Sequence, residues 1–161
     1  AQAISACASG PASHIREPRA APARPLAMPP TATNAAGKAF LKKKESEPGV
    51  TAMPSGLLYK VLKSGSSTKS PGPSTKCLCH YRGTFVDGTQ FDSSYDDGEP
   101  IEFAPDEVIG GWTEAMQMMH EGDKWELYLP CELGYGPEGD PPDIPAASCL
   151  VFQMEIIKVK G

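Results

Sequence analysis

The residues of this chain that could hold a metal or a redox pair stand in patterns that suit neither chemistry. Cys77 and Cys79 lie two apart in a stretch with strand character, where side chains on one face are poorly placed for a disulfide, and His80 points to the opposite face. A calcium loop starting at Asp92 fails because the required glycine at its sixth position is Asp97. We therefore expect buried, apolar cysteines, no metal and no other cofactor.

Aromatic residues are the second group with chemical potential, since they could line an apolar pocket. They are Tyr81, Phe91, Phe103, Trp112, Tyr135 and Phe152. Each ring taken alone is more often part of a core, because aromatic side chains supply much of the burial in small β domains. Asp92 is either a polar group at such a pocket or a turn residue bonded to its own backbone. Tyr135, between two glycines, suits an exposed loop better than a core.

The elements that would position these residues follow from periodicity and turn signals. The predicted elements are a strand over LLYKVLK, a strand over 75–85, a hairpin turn at Asp87-Gly88, a returning strand over 89–93, a short strand over 101–103, a two-turn helix over GWTEAMQMMHEG, a strand around Trp125, and a last long strand over CLVFQMEIIKVK. The helix ends at Gly122 in this prediction. Its residues Trp112, Ala115, Met116 and Met119 form a core-facing stripe. One helix laid across an antiparallel sheet predicts an α+β fold.

Three regions are predicted along the chain. Residues 1–33 read as a disordered tail or targeting remnant, because they offer few large apolar side chains. Residues 34–54 read as one short helix, capped by Asn34 and ended at Pro48-Gly49, with a linker. Residues 55–161 form the compact domain.

Composition excludes some function classes. The net charge is −5 and no dense Lys/Arg stripe occurs, so we expect no nucleic-acid partner. The longest apolar runs are far shorter than the roughly 20 residues of a membrane span. The tail carries Arg16, Arg19 and Arg24 against Glu17 and no initiator Met, which resembles a transit peptide. We expect an organelle lumen, plastid or secretory, and leave the cytoplasm open.

Several motifs then occur together in one order. HYRGTFVDGTQFDSSY, EVIGGWTEAMQMM, LGYG and LVFQMEIIKV make the chain from about Ser55 to Gly161 similar to the FKBP family of peptidyl-prolyl cis/trans isomerases. NAAGKAFL and MPSGLLYKVLKSG resemble the segment before the domain in Mip-like (macrophage infectivity potentiator-like) relatives. The resemblance implies a twisted, half-open antiparallel sheet wrapped around one short helix, and isomerase activity on X-Pro bonds of folding or client proteins without a cofactor.

The resemblance also implies roles for individual residues. Trp112 would be the floor of a proline pocket, and its walls would be Tyr81, Phe91, Val108, Ile109 and Phe152. The catalytic positions would be Ile109, whose N–H donates to a substrate carbonyl, Tyr135, whose hydroxyl donates to a second, and Asp92, whose carboxylate lies near the twisting amide. Phe103 matches a family aromatic, and Ile144 belongs to a flexible loop that covers the pocket.

Four residues depart from the family pattern at the rim of this pocket. Ile101 stands where many members have a pocket-edge Phe, Gly110 replaces a charged residue, and Asp140 and Asp143 replace His or apolar residues. We expect isomerase activity to be kept and basic residues near the substrate proline to be favoured. Binding of the macrolides tacrolimus and rapamycin, which lean on this rim, stays open.

Two further expectations concern partners and class. The N-terminal helix is too short for the dimerising arm of some Mip-like proteins, so we expect a monomer. A non-catalytic proline-binding or chaperone module that uses the same pocket remains the alternative to the enzyme.

Overall fold

The computed structural model describes residues 33–161, so the predictions for the tail lie, apart from Thr33, outside the described residues. Within this range the strands are β1 (Val50–Ala52), β2 (Leu58–Lys63), β3 (Cys77–Phe85), β4 (Gln90–Ser93), β5 (Ile101–Phe103), β6 (Lys124–Leu129) and β7 (Leu150–Val159). The helices are α1 (Ala35–Glu45), α2 (Ser94–Asp97) and α3 (Gly110–Met118), with single 3-10 turns at Pro105–Glu107 and Cys131–Leu133.

All seven strands belong to one antiparallel sheet. Its order is β1-β2-β6-β7-β3-β4, and β5 pairs with the first part of β3 while β4 pairs with the last part. The predicted α+β fold, an antiparallel sheet around one short helix, is confirmed. The long pairing of β3 with β7 at its centre carries two of the predicted pocket aromatics, Tyr81 and Phe152.

Helix α3 lies against the inner face of this sheet through the predicted stripe. Trp112, Ala115, Met116 and Met119 are all fully buried, in one core with the inner residues of β3, β6 and β7. Alternation along β3 buries Cys77, Cys79 and Tyr81 on this face, as predicted. The sheet therefore presents an aromatic strand face directly to the helix that carries Trp112.

The predicted end of α3 at Gly122 is wrong, because the helix ends at Met118. The Asp123 carboxylate accepts two backbone hydrogen bonds at this point. Oδ2 accepts the N–H of His120 at 2.9 Å, and Oδ1 accepts the N–H of Gly65 at 2.6 Å. Gly122 takes a left-handed conformation, with φ of 93°, and donates its N–H to the Ile156 carbonyl of β7. These contacts turn the chain into β6 one turn early.

Helix α1 lies on the outer face of the sheet, at the end near β2. The Asn34 side chain accepts the N–H of Gly37 at 2.8 Å, which is the predicted cap. Leu41 is buried with Leu58, Tyr128, Cys149 and Val151 in a second, smaller apolar cluster. The chain then forms β1, which the sequence pattern did not predict. The helix is thus packed on the domain rather than standing apart from it.

In residues 33–161 no helix is long and apolar enough to cross a membrane. The same part of the chain contains no group of three or more His, Cys, Asp or Glu side chains that could hold a metal ion.

Candidate functional site

A box of aromatic rings surrounds Trp112 between α3 and the inner face of the sheet. The Trp112 ring centroid lies 5.1 Å from Tyr81, 5.3 Å from Phe103 and 5.3 Å from Phe152. The contacts with Tyr81 and Phe152 are edge-on, with interplanar angles of 73° and 90°. Such pairs stabilise each other beyond simple burial, and they make the box apolar.

Phe91 extends the box from the neighbouring strand. Its ring meets Phe152 edge-on at 5.6 Å and lies 4.8 Å from Phe85. This approach depends on Gly83 in β3, where a Cβ would lie 2.6 Å from Cζ of Phe91 and 2.7 Å from Cε1 of Phe152. Gly83 is a site residue that the sequence pattern missed, because its importance comes from rings on two other strands.

A methyl group at Gly83 is therefore expected to displace the walls of the box. We expect Gly83→Ala to destabilise the fold by about 1–3 kcal/mol, as over-packing does, and to lower turnover several-fold. Urea unfolding and a prolyl-peptide assay measure the two effects. Gly110→Ala is the folding control, since a Cβ there meets only ordinary contacts at 3.9 Å in a helix. Equal stability of the two variants would contradict the expectation.

The polar edge of the box is formed by Asp92 and Tyr81. The Tyr81 hydroxyl donates to Oδ2 of Asp92 at 3.0 Å, and the Asp92 side chain is buried. Asp92 lies within β4, opposite Gly83, so its alternative interpretation as a turn residue is wrong. Burial raises the pKa of Tyr81 well above its usual range, and the Asp92 charge adds to the effect. The tyrosine thus stays a protonated donor beside the carboxylate.

Ser94 fixes this polar edge through hydrogen bonds, and the sequence pattern did not identify it as a site residue. Its Oγ accepts the N–H of Tyr81 at 2.9 Å and lies 3.3 Å from the Tyr81 carbonyl, to which it donates. The ring nitrogen Nδ1 of His80 contacts the same Oγ at 2.9 Å. Ser94 directly follows β4, which pairs with β3 through Arg82 and Ser93, and it begins the short helix α2.

Tyr135 approaches the box from the loop between β6 and β7. Its side chain is partly buried, and its hydroxyl oxygen is buried without a hydrogen-bond partner among residues 33–161, so an exposed role is wrong. Burial raises the pKa of the Tyr135 hydroxyl above its usual range, and the charges of Asp92 and Asp140 add to this effect. A buried hydroxyl without a partner is costly unless it donates to a ligand.

The start of α3 supplies the next side of the box. Val108 and Ile109 are buried in the same core. The Ile109 carbonyl accepts the N–H groups of Trp112 at 2.9 Å and Thr113 at 3.0 Å, and the Thr113 hydroxyl donates to the Pro105 carbonyl at 2.6 Å. These bonds fix the segment just before the helix, so that the Trp112 ring and the Ile109 backbone keep one relative position.

The remaining predicted residues divide between the box and its rim. Phe103 and Ile144 are fully buried in the core, whereas Ile101 is partly buried at the edge of it. Asp140 and Ile144 exchange two backbone hydrogen bonds of 2.9 Å, which close the loop above the box. Asp143 and Gly110 are exposed. All eleven predicted site residues therefore lie in or against one cluster, with the acids at its border.

Comparisons with known proteins agree with this geometry. The family model for FKBP-type peptidyl-prolyl cis-trans isomerase matches residues 67–157, and the model for the domain amino-terminal to it matches residues 20–61. A macrophage infectivity potentiator of Trypanosoma cruzi is 44% identical over 77% of this chain and 63% of its own length.

Solved structures give the same result. The crystal structure of FkpA from Escherichia coli matches with a TM-score of 0.75 and 42% identity, over 78% of this chain and 58% of that one. A peptidyl-prolyl cis-trans isomerase from Pseudomonas syringae matches with a TM-score of 0.74 and 34% identity, over 83% of this chain and 98% of that one. The chain spans about half to two thirds of the length of the curated relatives it matches.

Proposed function

Because this chain belongs to the family of FKBP-type peptidyl-prolyl cis-trans isomerases, we propose that its aromatic box binds proline and accelerates rotation about the preceding peptide bond. The observation that carries the proposal is the combination of an apolar floor, Trp112, with a buried carboxylate and two tyrosine hydroxyls at its edge.

The physical basis is the resonance of the amide bond. Rotation has a barrier of about 18–20 kcal/mol, because the planar amide is stabilised by charge separation that water supports. A pocket that excludes water favours the less charge-separated, twisted amide over the planar one. Such differential binding lowers the barrier without any nucleophile or proton carrier.

The polar groups at the edge would act on the twisted form. The Tyr135 hydroxyl and the Ile109 N–H are donors for two substrate carbonyls, which would hold the chain on either side of the proline. The Asp92 carboxylate, fixed by the Tyr81 hydroxyl at 3.0 Å, would lie near the twisting carbonyl. Its negative charge would disfavour the planar, charge-separated amide oxygen more than the twisted one.

A protease-coupled assay with a prolyl tetrapeptide tests the proposal. The uncatalysed step takes tens to hundreds of seconds, so catalysis by a micromolar enzyme is seen as a faster phase. An observed rate equal to the uncatalysed rate at that concentration would refute the enzyme. It would leave a non-catalytic binding or chaperone module, which the altered rim at Ile101 favours as second candidate.

Substrate preference should follow the acidic border of the pocket. Asp140 is partly exposed and lies on the same loop as Tyr135. We expect the ratio of kcat/KM for a peptide with Arg before proline to that with Glu before proline to exceed one. Asp140→Asn should lower this ratio about threefold at low salt, because solvent-exposed charge pairs contribute about 1 kcal/mol or less.

Glu45→Gln is the matched control, because it removes one exposed charge from α1, on the outer face of the sheet. The effect should fade as ionic strength rises. If Asp140→Asn and Glu45→Gln change the ratio equally, the local acidic rim does not select substrates.

A further inference from the structure

The inner residues of the aromatic box are buried, whereas Phe91, Ile101 and Tyr135 at its edge are partly exposed. Trp112, Phe152 and Ile144 are each 0% exposed. The Tyr135 hydroxyl is buried and has no hydrogen-bond partner among residues 33–161. A donor in this position is poorly solvated unless a carbonyl oxygen reaches it. A proline segment that brings a carbonyl oxygen to the Tyr135 hydroxyl would give this donor a partner at the edge of the box.

The described structure begins at Thr33, which is bonded to the loop between β6 and β7. The Thr33 hydroxyl donates to Oε2 of Glu132 and accepts the N–H of Cys131, both at 2.9 Å. The N–H of Asn34 donates to the Ala147 carbonyl at 2.9 Å. All three contacts fall on the loop between β6 and β7, which also carries Tyr135 and Ile144. The residues before Thr33 are therefore tethered to the loop that borders the box.

The residues just before this anchor contain several prolines within reach. Pro25, Pro29 and Pro30 precede Thr33 by eight residues or fewer. Tyr135 follows Glu132 by three residues, a span of at most about 11 Å. Eight residues span at most about 26–29 Å, which is longer than this distance, so Pro25 can reach the box.

Charge favours the same docking. Residues 1–32 carry three arginines and one glutamate, a net charge of +2. The net charge of the whole chain is −5, so residues 33–161 carry −7. The charges of Asp92 and Asp140 act on Tyr135, and that of Asp97 acts on Tyr81. Arg24 stands immediately before Pro25, which places a cation next to a proline as this acidic border requires.

We propose that residues 23–30 dock into the pocket of their own chain, with Pro25 against Trp112 and Arg24 at the acidic border, and compete with external prolyl substrates. The inference rests on the proposed function, since it takes the box to be the proline site. A short tether gives an effective concentration in the millimolar range, which suffices to occupy a weak site. The tail would thus act as an intramolecular competitor.

The test uses the full chain with the paired substitution Arg24→Glu and Pro25→Ala. We expect the KM for a prolyl peptide to fall about threefold to tenfold, because the competitor is removed. Arg16→Glu with Pro18→Ala is the matched control, since it makes the same changes about eight residues further from the anchor and should leave KM as in the wild type.

A second readout does not depend on catalysis. The indole N–H signal of Trp112 in a two-dimensional nitrogen–proton NMR spectrum should move in the Arg24→Glu/Pro25→Ala variant. A synthetic peptide of residues 20–30 should shift that signal back in the variant and have much less effect in the wild type.

The two readouts separate the docking from the proposed activity. If neither the wild type nor the variants catalyse isomerisation, but the Trp112 signal moves in the Arg24→Glu/Pro25→Ala variant and not in the control, the docking stands and the proposed function fails. An unchanged KM together with an unchanged Trp112 signal overturns the docking. So does an equal effect of the Arg16→Glu/Pro18→Ala control.

Discussion

Replacement of Trp112 by alanine is expected to abolish isomerase activity and to lower the free energy of unfolding by about 3–5 kcal/mol. Trp112 is fully buried, and three aromatic rings contact it at centroid distances of 5.1–5.3 Å. Its removal leaves a large cavity at the base of the pocket and frees its walls to move. The loss is a large part of the 5–15 kcal/mol that holds a typical domain folded, so urea unfolding should be measured alongside activity.

Trp125→Ala is the matched control for this prediction. Trp125 is also nearly buried and stacks on Tyr59 at 4.4 Å, between β2 and β6, away from the aromatic box. We expect a comparable loss of stability but retention of turnover in the fraction of molecules that is folded. Trp112→Phe serves as a milder variant that keeps the fold. If folded Trp112→Phe turns over peptide as the wild type does, and Trp125→Ala does not, the floor of the site is misassigned.

The second large effect is expected at Asp92, for which Asp92→Asn should lower kcat/KM about tenfold to a hundredfold. The asparagine oxygen can still accept the Tyr81 hydroxyl bond, now 3.0 Å long, so the loss reports the missing negative charge. Asp92→Ala should lower activity similarly and also destabilise the fold by about 1–3 kcal/mol, because the hydrogen bond between the Tyr81 hydroxyl and the Asp92 carboxylate is lost.

Tyr81→Phe separates the hydrogen bond from the charge. It removes the donor to Asp92 but keeps the carboxylate and the aromatic wall, so we expect a smaller loss than for Asp92→Asn. If the Asp92→Asn variant keeps both the turnover and the KM of the wild type, Asp92 is not one of the catalytic residues.

The parts of the fold that could be predicted from sequence are those with a local signal. The apolar stripe of α3 and the alternation in β3 depend only on residues three, four or two apart, so both predictions are confirmed. The end of α3 depends on the Asp123 carboxylate, which binds backbone groups at His120 and at Gly65 far upstream. β1 has little pattern of its own and is a strand because β2 lies beside it.

The site shows the same division. Sequence motifs identified the aromatic residues, which the structure brings into one box. They could not show the need for a bare Cα at Gly83, because the rings that would clash with a side chain come from β4 and β7. The burial of the Tyr135 hydroxyl was missed as well, since its glycine neighbours suggest exposure, whereas loop closure through Asp140 and Ile144 determines its surroundings.

The central claim is that one pocket, with Trp112 as its floor, both binds proline and speeds rotation of the bond before it. Exchange NMR on a prolyl peptide, titrated with the full chain, measures both in one sample. The proposed function predicts that cis/trans exchange of the peptide accelerates and that the Trp112 indole signal shifts in the same titration, and that folded Asp92→Asn keeps the shift but loses the acceleration in proportion to its lost turnover. A saturable shift at Trp112 with exchange at the uncatalysed rate would contradict the enzyme and leave a proline-binding module.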